Sequence, residues 1–398
     1  MTATPTTPPP PQPTDGLRRV RLQDIPGIEI TYGVVQAGPF DEQGVPILLV
    51  EQIAENRLRP GVRMRISKDV HNSHRRSELQ DGDLVLVLVG RVGDSARITA
   101  EHAGWNIPRA IGVIRCVDSS TKSTSVIDWL QYWLASPSMR KWFTQKASQS
   151  VKPTLSVQSL KNLEVPLPAP TDRSRQIELF KDMEKRASDS LEVAETALAI
   201  ADEVFERTKK TAKTEPRILG QVCQARTGDH RRQIISDPNT DVDGSDFVVP
   251  TARVLKAKLP CERLGETAQK RREWQPTGQL LIATKAGTAQ ILIDPSGHAT
   301  AARGTLSVHA LDEYDQWWLL HELRSRREEL IDVAQQGNSR ELSARAFSKL
   351  HVDWPTREVR QQFAEVAAAL HERAILAMDD HEDMHAMVGL LIEKMVNR

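Results

Sequence analysis

Internal duplication is the feature that most limits what this 398-residue chain can fold into. The first half carries an apolar run ending in a glycine turn (GDLVLVLVGRVGDSARI, from Gly82), a tryptophan-bearing helical stretch from Trp129 to Phe143, the extended NLEVPLP from Asn162, and then a charged heptad pattern. The second half repeats that order: TGQLLIATKAGTAQILI from Thr277, Trp317 to Leu330, KLHVDWP from Lys349, and a second heptad stretch from about Glu358 onward. Ala147 and Ala334, Leu163 and Leu350, and Pro168 and Pro355 each stand 187 residues apart. A period this long marks duplicated domains, because solenoid repeats recur every ~20–50 residues.

The length leaves room for two domains of ordinary size. The predicted fold class is α+β: two mixed α/β domains at 17–170 and 214–355, and two long antiparallel coiled-coil helices at 171–213 and 356–398, forming a pseudo-twofold repeat. Residues 1–16, within MTATPTTPPPPQPT, read as a disordered proline-rich tail that lacks the basic and apolar parts of a signal peptide. In the first domain, strands are expected at Gly44 to Val50, Leu84 to Val89 and Ile111 to Cys116, and Pro137 breaks the aromatic helix. Runs such as LVLVLV are too short to span a bilayer. Cys116, Cys223 and Cys261 fit no metal or disulfide spacing, which suits a reducing cytoplasm.

From Asp172 to about Thr211 the chain has neither glycine nor proline, and Thr171 and Asp172 offer N-caps. Ala187, Leu191, Ala194, Leu198, Ala201 and Phe205 alternate steps of four and three, the spacing of a coiled-coil seam. Small residues at half of these positions call for a close antiparallel partner. The second heptad stretch supplies one, with Val359, Phe363, Val366, Leu370, Ala377, Met384, Val388, Leu391 and Met395 on one side. Helices of about forty residues span roughly 60 Å, so the pair would act as a ruler between two globular units.

Charge balances at 53 basic against 53 acidic residues, so affinity for a polyanion has to come from local patches. One such patch is RLRPGVRMRISKDVHNSHRR, in which Arg57, Arg59, Arg63, Arg65, Lys68, Arg75 and Arg76 face a single acid, Asp69. Alternation in Val62 to Ile66 predicts a strand with Arg63 and Arg65 on one face, able to reach phosphates or guanine edges. A solvated strand face would explain one such run, but the second half has a comparable one. Arg253, Lys256, Lys258, Arg263, Lys270, Arg271 and Arg272 precede the repeated strand and turn, with Arg226, Arg231 and Arg232 upstream. Basic clusters at like places in both repeats point to a shared anionic partner, and two similar units suit duplex DNA with two half-sites. The turns GRVG and KAGT add Arg91 and Lys285 at hairpin tips; neither is a phosphate loop.

Catalytic signatures are absent: no cofactor-binding glycine loop, no adenine-methylation motif, no nucleophile elbow. His381, Glu382 and His385 spell the zinc-protease pattern HExxH, but position 391, where a third ligand would fall, is Leu. A solvated histidine pair on a charged coil is the simpler reading. His71 and His74 read as surface residues within the basic run, within reach of phosphate.

LQDGDLVLVLVGRVGDSARI, IPRAIGVIRC, WLQYWLASPSMRKWF, TLSVQSLKNLEVPLPAP and RSRQIELF, in that order, resemble the specificity subunits of type I restriction-modification systems. The second half matches more weakly: Gln279 replaces the acid that Asp83 keeps, and RQQF echoes RSRQI. The resemblance implies two target recognition domains that read the halves of a split DNA site, with helices that set the spacer and dock modification subunits. It also implies a chain without catalytic activity or bound cofactor. DNA adenine methyltransferase subunits would bring S-adenosylmethionine and flip the base, and a restriction/translocase subunit is a further candidate partner. Two rival readings stay open: a specificity-like factor of another defence or modification system, and a coiled-coil scaffold that binds no DNA. A zinc hydrolase would require stoichiometric metal.

Overall fold

The computed structural model describes the chain except for residues 1–16, 55–56, 118–125, 148–152, 229–246, 250, 258, 261–278, 286, 295–298, 313, 337–340 and 397–398. The expected tail and Cys261 lie outside the described residues. The chain divides into two compact units, one of Met1–Glu184 with His385–Arg398 and one of Lys185–Met384.

The first unit is built on strands β1 (Leu17–Arg21), β2 (Ile28–Tyr32), β3 (Val45–Pro46), β4 (Ile53–Ala54), β5 (Arg57–Leu58) and β6 (Arg65–Ile66). A short helix α1 (Lys68–Ser73) follows, then β7 (Leu84–Val87), β8 (Ser95–Arg97) and β9 (Ile111–Cys116). All four residues of β7 are buried, which is why LVLV reads as an unbroken apolar run instead of alternating. It lies second from one edge of an antiparallel sheet ordered β2-β9-β7-β8. Helices α2 (Val126–Leu134), α3 (Pro137–Ala147) and α4 (Val157–Lys161) lead to β10 (Glu164–Pro168). Pro137 opens α3 at the first helical position, where its missing N–H costs nothing. Trp129 ties α2 to β10 by donating its indole N–H to the Pro166 carbonyl at 2.7 Å.

Helix α5 (Pro170–Thr211) starts on a proline, one residue before the expected caps. The second unit then repeats the plan with β11 (Thr214–Ile218), α6 (Leu219–Val222), β12 (Cys223–Thr227), β13 (Phe247–Val249), α7 (Thr251–Lys256), β14 (Leu280–Lys285), β15 (Thr288–Ile293), β16 (Ala299–Ala301) and β17 (Thr305–Ala310). After these come α8 (Asp315–Ser325), α9 (Arg327–Gln335), α10 (Ala344–Phe347), β18 (His351–Pro355) and α11 (Arg357–Val396). Its main sheet runs β12-β17-β14-β15, again antiparallel throughout, so β2, β9, β7 and β8 correspond to β12, β17, β14 and β15.

The edge pairs match as well: β1 runs antiparallel to β10 and β11 to β18. Leu22 N–H reaches the Leu163 carbonyl at 2.8 Å, and Leu219 N–H reaches the Leu350 carbonyl at 2.9 Å. At the start of each long helix an arginine is buried, and Arg173 and Arg360 donate to the carbonyls of Pro168 and Pro355, the ends of the matching strands.

Inside the second unit α5 and α11 pair antiparallel. Phe205 stands edge-on to Phe363 at 5.6 Å, and toward the other end the His381 ring nitrogen Nδ1 lies 2.7 Å from the Ala187 carbonyl. The expected α5 positions Ala187, Ala194, Leu198, Ala201 and Phe205 are buried. On α11 the seam departs from expectation: Val366 is 44% exposed, whereas Ala367, Ala374 and His371 are fully buried. Phe363 and His371 on this face make ring contacts with Trp317, Trp318 and His321 of α8, so α11 packs on α8 as well as on α5.

Two strand expectations also need correction. In Gly44 to Val50 the strand covers only Val45–Pro46, Ile47 adds an isolated parallel bridge to Asn106, and Val50–Gln52 forms a tight 3-10 turn. In Val62 to Ile66 only Arg65–Ile66 is a strand, so Arg63 and Arg65 do not share one strand face.

Candidate nucleic-acid interface

In the first unit Arg57 lies on β5, which folds back on β4, and Arg59 follows it. Arg57, Arg59, Arg63, Lys68, Arg75 and Arg76 are all exposed, and no described carboxylate pairs with them. Lys68 begins α1, whose Ser67 cap accepts from Val70 N–H, and Arg75 donates to Asn72 Oδ1 at 3.0 Å. Arg65 behaves differently. It is half-buried, and its guanidinium donates to the Gly44 carbonyl at 2.9 Å, pinning the loop before β3 to β6. Gly44 permits this approach, since a Cβ there would fall 2.1 Å from the Ile66 carbonyl oxygen.

The hairpin bearing Arg57 and Arg59 is tied to the body of the unit by two side chains. Gln52 is fully buried; its amide nitrogen donates to the Gly61 carbonyl at 2.8 Å, and its amide oxygen accepts from Leu49 N–H at 3.0 Å. The Gln52 carbonyl accepts from Arg59 N–H at 2.8 Å. From the GRVG turn, Arg91 donates to the carbonyls of Val50 and Ile53 and pairs with Asp94 at 3.2 Å. Gly93 of that turn has a φ of 100° and packs where a Cβ would strike Phe143. Gln52 belongs to no motif, and nothing in the sequence marked it.

Of two further expected surface groups, His71 is internal and His74 is half-buried. His71 is buried, with Nδ1 3.3 Å from the Asn106 amide and Nε2 3.4 Å from Glu78, and His74 Nδ1 lies 2.9 Å from the Val70 carbonyl. Asn106 is buried too and accepts from Ser77 Oγ at 2.7 Å. His71 thus holds α1 to the core, whereas the His74 contact lies within the helix turn itself.

In the second unit Arg226 is exposed on β12, and its charge adds to burial in holding His309 below the usual imidazole range. Arg253 and Lys256 are exposed on α7, and Lys285 is exposed where β14 turns through Gly287 into β15. Arg231, Arg232, Lys258, Arg263, Lys270, Arg271 and Arg272 lie outside the described residues.

Among the described residues no group of three histidine, cysteine, aspartate or glutamate side chains stands close enough to hold a metal ion. The Cys223 thiol is pushed up to about 12 by burial, and Cys116 is half-buried; neither forms a disulfide. A buried polar cluster unmarked by any motif joins α5, α8 and α11. His321 Nδ1 is 2.7 Å from Asp202, its Nε2 is 3.1 Å from His371 Nε2, and Arg324 donates to Asp202 at 2.9 Å. Burial holds His321 below the usual range, and burial followed by the neighbouring His321 holds His371 well below it. No helix among the described residues is long and apolar enough to cross a membrane.

No family model matches the chain. Over 140 residues it is 31% identical to the type I restriction enzyme EcoBI specificity subunit of Escherichia coli, an alignment covering 35% of this chain. The chain thus spans only 28% of the length of that curated relative. Among solved structures, the type I restriction-modification S subunit from M. genitalium superposes with a TM-score of 0.52 at 10% identity, covering 97% of both chains. The HsdS subunit from Thermoanaerobacter tengcongensis aligns over 98% of this chain and 97% of its own at 14% identity, with a TM-score of 0.38. The local sequence match and the M. genitalium fold match both fall on specificity subunits of type I systems, the family that the ordered motifs resemble.

Proposed function

We propose that this chain is the DNA-specificity subunit of a type I restriction-modification system: it reads a two-part duplex site and directs adenine methylation by partner subunits. The observation that carries the proposal is the duplicated architecture. Two sheets of the same strand order, each flanked by a matching edge pair and followed by a long helix, suit a target with two half-sites. The names of the similar proteins support the same reading.

In this reading 17–170 and 214–355 are the recognition domains, and 171–213 and 356–398 are the helices that set the spacer and dock methyltransferase subunits. The exposed Arg57, Arg59, Arg63, Lys68, Arg75 and Arg76 meet phosphates or base edges of one half-site. Arg226, Arg253, Lys256 and Lys285 serve the other, together with the remaining cations of the second basic run. Phosphate contacts set position and base-edge contacts set sequence. Two modest affinities on one chain multiply through effective concentration. The chain itself performs no chemistry; S-adenosylmethionine belongs to the methyltransferase partner, and cleavage to a restriction subunit where one is present. The working compartment is the cytoplasm.

Deleting the gene and mapping methylated adenines across the genome tests this. Loss of methylation at one bipartite motif, restored by the wild-type gene, is expected, and an unchanged map would overturn the reading. Copurification from the host identifies the partners.

A further inference from the structure

We infer that Gln52 and Arg91 act in DNA binding as positioning residues: without touching the duplex, they hold the hairpin that presents Arg57 and Arg59. The inference deepens the DNA reading and rests on it. An arginine on a free loop loses side-chain and backbone entropy when it meets a phosphate, and a loop fixed beforehand has less to lose.

Two independent ties do this fixing. Gln52 closes the loop from inside, through its buried side-chain contacts to Leu49 and Gly61 and its backbone contact to Arg59. Gly61, with φ of 92°, is where the chain turns after Arg59. Arg91 anchors the preceding segment from the neighbouring turn by engaging two carbonyls, Val50 and Ile53, with the same nitrogen. Arg91 is thereby committed to protein oxygens, whereas the exposed Arg57 and Arg59 have no described carboxylate on them.

The test uses the full chain, a mixed-sequence DNA duplex as probe, and binding isotherms over a salt series. Each phosphate contact contributes about 0.9 to the slope of log affinity against log salt. Gln52→Met is expected to lower affinity about tenfold and the slope by about two, matching the Arg57→Ala/Arg59→Ala double variant. Combining them should add little, as expected of groups acting through one element. Should Gln52→Met fail to fold, Arg91→Lys serves in its place. It keeps the charge but not the reach to both carbonyls, so a slope loss would mark positioning and a retained slope would mark direct phosphate contact. A wild-type chain that binds no duplex removes the DNA reading and the inference together. Binding by wild type, with unchanged slopes or fully additive losses in the variants, removes the inference alone.

Discussion

Asp83 holds Arg115 through both carboxylate oxygens, Oδ1 from Nε at 2.8 Å and Oδ2 from Nη2 at 2.6 Å, fastening the start of β7 to β9. Asp83 is buried and the Arg115 side chain largely so, and the hydrogen bond to Asp83 is the main cause that raises the Arg115 pKa above its ordinary value. By strand register the corresponding positions in the second unit are Gln279 and His309, and the Gln279 amide oxygen accepts instead from Ser307 Oγ, which stands 3.3 Å from His309 Nε2. The amide nitrogen of Gln279 donates to the Ala299 carbonyl. The acid and its arginine are thus replaced by an amide and a histidine, and the amide turns to Ser307 and Ala299 instead.

Breaking one partner of a buried ion pair strands the other, at about 3–5 kcal/mol. Asp83→Ala should therefore lower the stability of the first unit by that order, read by urea unfolding. Asp83→Gln combined with Arg115→His, which copies the second unit, should recover part of the loss. A double variant no better than the sum of its singles would disprove the exchange.

Arg63 and Arg65 should separate cleanly. Arg63→Ala is expected to weaken duplex binding by roughly 1–3 kcal/mol if it reads a base, or to flatten the salt slope by about one if it meets a phosphate, with melting unchanged. Arg65→Ala loses its bond to Gly44 and should instead cost about 1 kcal/mol of stability. Equal effects of both variants on binding and melting would contradict the geometry.

The helix seam makes a third prediction. Ala367, one turn from both Phe363 and His371 on α11, is fully buried, and Val366, beside it, is exposed. Ala367→Leu should overpack the seam and cost about 1–3 kcal/mol, while Val366→Leu should stay within about 0.5 kcal/mol. Thermal melts of the two variants decide it.

The His321–His371 pair predicts acid sensitivity. The partners assign Nδ1–H of His321 to Asp202 and Nε2–H of His371 to Nε2 of His321, leaving both rings neutral and the buried His371 Nδ1 without a hydrogen-bond partner. Both pKa values are lowered on folding, so the unfolded chain takes up protons first, near its ordinary value of about 6.5. The stability they contribute is complete above that value and is lost as pH falls below it, at about 1.4 kcal/mol per pH unit for each proton. Asp202 has the opposite sign of charge. Burial opposes its ionised form, the hydrogen bonds from His321 and Arg324 outweigh that, and its contribution is lost only at lower pH, below the ordinary carboxylate value. Urea midpoints between pH 5 and 8 should fall with acid, and His371→Gln should flatten the curve by about one proton. Parallel curves for the two proteins would rule the pair out as the cause.

The amino-acid order alone determined the duplication, the sheet-forming LVLV and LLIA runs, the proline-marked break between α2 and α3, the α5 seam and the two basic runs, because each is a periodicity or composition local to the chain. Tertiary structure decided what individual side chains face. It placed Arg65 on a backbone carbonyl, Gln52 inside a loop, His71 in the core, and Ala367 in the interior with Val366 at the surface. Those outcomes depend on which carbonyl or helix arrives from far along the sequence. A polar side chain is spent on protein or left for a partner according to that approach, which no local pattern encodes.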